Sequence, residues 1–125
     1  MGNARSDAAF RARVEDAIDR DDPAELADLA AEIGISGEPF AWAQSCCIEL
    51  ARHRSAGVRA GAIASFGHLA RRFGRLDPGR VRNLVEIALH DPSPAVRARA
   101  DDAADDLLTF LGWEFERPAR AARVR

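Results

Sequence analysis

Tyrosine and lysine are absent from this 125-residue chain, and aromatic residues make up only 6% of it. So few aromatic and β-branched residues beside so many alanines argue against a β-sandwich and for closely packed helices. No apolar run approaches the ~18 residues of a membrane-spanning helix, and Met1 to Asp7 lacks the apolar segment of a signal peptide. Cysteine is confined to the adjacent pair Cys46 and Cys47, whose neighbouring positions on a helix do not meet disulfide geometry. They read as buried thiols without further metal ligands at suitable spacing, and the chain as a cytoplasmic protein.

What is present is mostly arginine, aspartate and alanine. All 18 basic residues are arginine against 20 acids, a net charge of −2 that excludes wholesale attraction to nucleic acid or anionic membrane. The average conceals bands: residues 1–38 carry −6, residues 39–99 carry +6 and residues 100–125 carry −2. Use of arginine for every cation reflects GC-rich coding more simply than it reflects phosphate recognition, which would need a cluster.

The strongest pattern is an internal repeat. His53 to Gly74 lies over Asp91 to Gly112, 38 positions later and without a gap. Seven pairs are identical: Ser55/Ser93, Val58/Val96, Arg59/Arg97, Ala60/Ala98, Ala62/Ala100, Leu69/Leu107 and Gly74/Gly112. A repeat of this length holding two helical patterns implies stacked helical hairpins.

Period and punctuation place six helices. The first spans Asp7 to Arg20, capped by Ser6, with Phe10, Val14, Ala17 and Ile18 inward. The second opens at Asp22-Pro23, with Glu25 completing a capping box, and ends at Gly34; Ile35 to Glu38 is a connector. Pro39 opens the third, whose face is Ala43, Cys46, Cys47, Leu50 and Ala51. The fourth, capped by Ser55 and closed by Gly74, turns Val58, Ala62, Phe66, Leu69 and Phe73 inward. Asp77-Pro78 opens the fifth and Ser93-Pro94 the sixth, with Val96, Ala100, Ala103, Leu107 and Leu111 toward the core. The fold class expected is all-α, a short α-solenoid of about three antiparallel hairpins in one domain over residues 1–116, followed by a basic, disordered tail over 117–125.

From Asp91 through Arg97, and the alanine-leucine helix that follows, the chain resembles the HEAT or HEAT-like repeat family. The second hairpin keeps Val58-Arg59, Ala62 and Leu69 but has His53 in place of the usual Asp, and the first matches only as a helix pair. The resemblance covers about residues 40–112. It implies that the valines are core and that Asp91, Arg97 and Arg59 form a polar ladder between hairpins.

Two constellations stand out as candidate partner-binding positions. The sixth helix carries Asp101, Asp102, Asp105 and Asp106 away from its leucine stripe, with like charges four residues apart that weaken a helix by a few tenths of a kcal/mol each. A solvated capping face and a docking surface for a basic partner are both open readings. A magnesium site is a weaker one, since the chain has no second metal motif. The fourth helix turns Ala60, Ala64, Gly67 and His68 outward, with Gly61 close by, so either helix packing or an approaching partner keeps this side small.

Arg52, Arg54, Arg59, Arg71, Arg72 and Arg75 could meet a phosphate backbone, but lack the aromatic residues on which single strands stack. No serine or cysteine has a base and orienting partner, and no phosphate loop occurs. The sequence calls for no cofactor, no metal and no enzyme activity. The expected role is protein binding, most specifically as a bacterial immunity protein whose acidic face neutralises a basic toxin domain. A nucleic-acid repair protein and a scaffold subunit of a larger enzyme are the alternatives.

Overall fold

In the computed structural model, residues 4–118 are described and form six helices, with no strand among them: α1 (Ala4–Arg20), α2 (Pro23–Ser36), α3 (Phe40–Leu50), α4 (Ala56–Phe73), α5 (Pro78–Ala88) and α6 (Pro94–Leu111). Residues 119–125, most of the tail expected to be disordered, lie outside the described residues.

Most boundaries follow from capping chemistry. Asp22 accepts from the amides of Ala24 and Glu25, both at 3.2 Å, and Asp77 from that of Gly79 at 3.0 Å. Ser93 accepts from Val96 at 3.4 Å. Each removes an orphan donor from a first turn, and a proline sits at the start of all three helices. Gly74 (φ 67°) and Gly112 (φ 71°) close α4 and α6 in the left-handed region, where a side chain would be strained.

Four local expectations are corrected. Helix α1 begins at Ala4, ahead of the start expected at Asp7, and the side chain of Ser6 lies outside the described residues. Glu25 does not complete a capping box; its carboxylate turns to Arg20 at 2.6 Å. Ser55 stands at the start of α4 without a side-chain cap bond, its own amide donating to His53 Nδ1 at 2.9 Å. Gly34 does not end α2, which runs two residues further to Ser36. The glycine is there for proximity: a Cβ on it would lie 2.5 Å from Ser65 Cα on α4. Ser65 Oγ accepts from the Gly34 amide at 3.0 Å and donates to the Ala30 carbonyl at 2.5 Å, so a buried hydroxyl is fully used.

Helix α4 is the hub, flanked by α2 on one side and α6 on the other. Helix α3 packs against α2, α4 and α5, and α5 against α4 and α6. Helix α1 lies on α2 and reaches α3 through Phe10, edge-on to Trp42 at 6.0 Å, and Glu15, which accepts from Trp42 Nε1 at 3.2 Å. The inward stripes read from the sequence are the core: Val14, Leu26, Leu29, Ile33, Leu50, Val58, Phe66, Leu69, Val81, Val85, Val96 and Leu107 are all buried. Cys46 and Cys47 are buried and unbridged, and burial pushes both thiols up to about 12, so neither is a thiolate near neutral pH.

Candidate binding surfaces

The polar ladder is partly as the repeat suggests. Arg59, in the first turn of α4, anchors Nη1 on the carbonyls of His53 (3.0 Å) and Arg54 (2.9 Å). Its Nε and Nη2 then hold both oxygens of Asp91, at 3.0 and 2.9 Å. This bidentate clamp keeps the Asp91 carboxyl below the usual carboxylate range, with the Ser93 amide helping and burial opposing. His53 stands in for the missing aspartate of the earlier copy: its Nδ1 accepts from Ser55 as Asp91 accepts from Ser93, and its Nε2 lies 2.6 Å from Asp21. Arg54 also pairs with Asp21, whose carboxyl is held low chiefly by the His53 hydrogen bond and then by Arg54.

Arg97 departs from the expectation. It bonds the carbonyls of its own turn, Asp91 at 2.7 Å and Pro92 at 3.1 Å, and ties no second helix pair to the first.

The four aspartates of α6 separate into three situations. Asp101 and Asp105 share Arg117, at 2.6 and 2.8 Å. They occupy the positions equivalent to Ile63 and Gly67, which on α4 are buried beneath α6. Asp106 lies over Gly67, where an added Cβ would sit 2.6 Å from its Oδ2. Only Asp102 is exposed with no closer cation than Arg99, at 3.7 Å.

Gly67 is therefore corrected as a binding position: it is small because α6 covers it, and it presents no surface. Gly61 is small for the same reason on the other flank, its added Cβ falling 3.0 Å from the Ala27 carbonyl of α2. Ala60, Ala64 and His68 remain partly exposed between them. His68 accepts from Arg71 at 2.7 Å, and burial followed by the Arg71 charge lowers its pKa, so the ring is neutral at pH 7.

What the structure adds is α2. Asp28 and Glu32, one helical turn apart, are exposed and form no ion pair among the described residues. Helix α4, with Ala60 and Ala64 partly exposed, thus lies between α2, which carries exposed Asp28 and Glu32, and α6, which carries exposed Asp102. The signal for α2 was in the sequence: counted from the Leu26 stripe, positions 28 and 32 fall on the opposite side.

The six arginines considered as a phosphate-binding cluster are dispersed into other work. Besides Arg54, Arg59 and Arg71, Arg72 donates to the Gly34 and Gly37 carbonyls at 2.8 and 3.1 Å. Arg75 lies over the Phe40 ring at 4.3 Å, leaving Arg52 without an ion pair among the described residues.

The segment after α6 folds back on the helices. Trp113 and Phe115 pack against the core cluster, Arg82 lies 4.6 Å over Phe115 and donates to the Glu114 carbonyl, and Arg117 docks on α6. A groove of about 560 Å³ remains between this strap and Arg82, Glu86 and His90 of α5 and its end. No group of His, Cys, Asp and Glu among the described residues could hold a metal ion, and no helix is long and apolar enough to cross a membrane. Comparison with family models, curated proteins and solved structures finds no match to this chain.

Proposed function

We propose that this chain is a HEAT-like α-solenoid of three antiparallel hairpins that binds another protein and performs no catalysis. The repeat register and the central place of α4 between α2 and α6 support the solenoid reading. Its partner is a basic protein surface, and the role that fits is a cytoplasmic immunity protein covering the cationic cleft of a nuclease-type or deaminase-type toxin.

The observation that carries this reading is the set of exposed acids on the helices flanking α4: Asp28 and Glu32 on α2 and Asp102 on α6, with Ala60 and Ala64 of α4 partly exposed. Asp28 and Glu32 form no ion pair among the described residues and Asp102 pairs only with Arg99 at 3.7 Å, so these carboxylates are available to a partner's cations, and small side chains at Ala60 and Ala64 let a convex surface approach. Complementary charge of this kind raises association rates more than it adds contact energy, and the effect weakens as salt rises. Of the aspartates expected to dock a partner, Asp102 fits this role best, because Asp101 and Asp105 already share a guanidinium.

The test is the complex with the protein encoded beside this gene, measured by stopped-flow association and by titration calorimetry. Reversing Asp28, Glu32 and Asp102 together to lysine is expected to weaken binding at least tenfold, mostly through the association rate, and to flatten its salt dependence. An unchanged affinity in that variant removes the proposed face.

A further inference from the structure

The two copies of the repeat place the same arginine in the same local geometry, and one of the two lacks its carboxylate. In the earlier copy, Arg59 Nη1 is fixed by the carbonyls of residues six and five before it, and Nε and Nη2 close on Asp91. In the later copy, Arg97 Nη1 is fixed by the carbonyls of residues six and five before it, Asp91 and Pro92. The guanidinium is planar, so anchoring one nitrogen on two carbonyls sets the direction of the other two. No carboxylate among the described residues lies within ion-pair distance of Arg97, and its side chain is exposed. Asp101, one turn further along α6 and the nearest acid on that helix, is engaged by Arg117.

From this correspondence we propose that Arg97 is a preformed carboxylate-binding site, and that its ligand is an aspartate in a turn of a partner protein, presented as Asp91 is presented to Arg59. A bidentate carboxylate satisfies two parallel N–H donors at once, and the carbonyl anchors have already restricted the side chain that must be ordered on binding. The surroundings suit a macromolecule more than a free anion. One turn further along α6, the Arg117 strap crosses Asp101 and Asp105, and Leu108 beyond them is 48% exposed, so a docking turn meets apolar surface on the same helix. The site lies at the end of the helix stack, apart from the α2, α4 and α6 face, and stands or falls independently of the function proposed there.

The experiment uses the intact protein, the Nε–Hε resonances of its arginines, and a capped peptide with the sequence of residues 88–94, which contains the aspartate that Arg59 grips. A second peptide carries asparagine at the Asp91 position. The Arg97 resonance is expected to shift saturably with the aspartate peptide, at a concentration several-fold below that needed with the asparagine peptide. Arg80 and Arg99, exposed and without such carbonyl anchors, are expected to shift less. Arg97→Gln is expected to remove the difference between the peptides. Equal response to both peptides, or an Arg97 shift no larger than that of Arg80, overturns the proposal, and neither outcome depends on the folding of a variant.

Discussion

Ser65 bridges the Gly34 amide and the Ala30 carbonyl, an i, i+4 pair of α2, so Ser65→Ala removes two buried hydrogen bonds between α4 and α2 while leaving that pair to bond within its own helix. A loss of about 0.5–1.5 kcal/mol is expected from the lost hydrogen bonding, readable as a lowered urea midpoint. Gly34→Ala is expected to cost at least as much, because the atom it would strike is the Ser65 backbone and not a movable side-chain end. Asp91 makes a prediction in pH. Its carboxyl titrates lower in the folded chain than in the unfolded one, so the folded state binds fewer protons. The stability it contributes is complete above the unfolded value of about 3.9 and is lost as pH falls through the depressed folded value. Urea unfolding followed by circular dichroism from pH 6 down to pH 3 should show a shallower acid decline for Asp91→Asn than for the native chain. Equal slopes would mean that the Arg59 clamp contributes nothing to the acid limb.

Helices are where the sequence spoke most plainly, and where its omissions have physical causes. The stripes ending at Phe66, Leu69 and Leu107 are periodic enough to define the buried faces directly, and the prolines and the closing glycines mark most ends. Gly34 misled because a glycine near a helix end carries the same local signal whether it stops the helix or admits a neighbour; only the position of Ser65 on α4, 31 residues away, distinguishes them. Glu25 misled because Arg20 competes for its carboxylate across the turn between α1 and α2. Arg117 was hidden in an apparently featureless tail, since no periodicity announces an extended segment that docks by charge. Arg117→Ala removes the guanidinium that Asp101 and Asp105 share and is expected to lower stability by about 0.5–1 kcal/mol. Thermal unfolding should show that deficit shrinking in 1 M salt; a deficit that persists there would point to packing of the strap in place of charge.

On the scale of the whole chain, charge banding was legible as composition, but not as surface. Arg54, Arg59, Arg72 and Arg75 of the basic middle band are engaged by aspartates, carbonyls and an aromatic ring, so only weak binding to duplex DNA with a shallow salt dependence is expected, and gel-shift measurement at low salt checks this. The acidic first band, by contrast, leaves Asp28 and Glu32 outward, a signal too ordinary to stand out because solvated acids on a helix are common. The candidate face required the relative placement of three helices, and that is information no single helix carries. The last helix has a further consequence for how such a chain can grow. Asp101 and Asp105 stand where Ile63 and Gly67 receive the following helix. A further helix packed there as α6 packs on α4 would have to bury two carboxylates, which costs several kcal/mol per ion unless each is paired. That face of α6 therefore accepts an apolar helix only if both aspartates first become small or apolar residues.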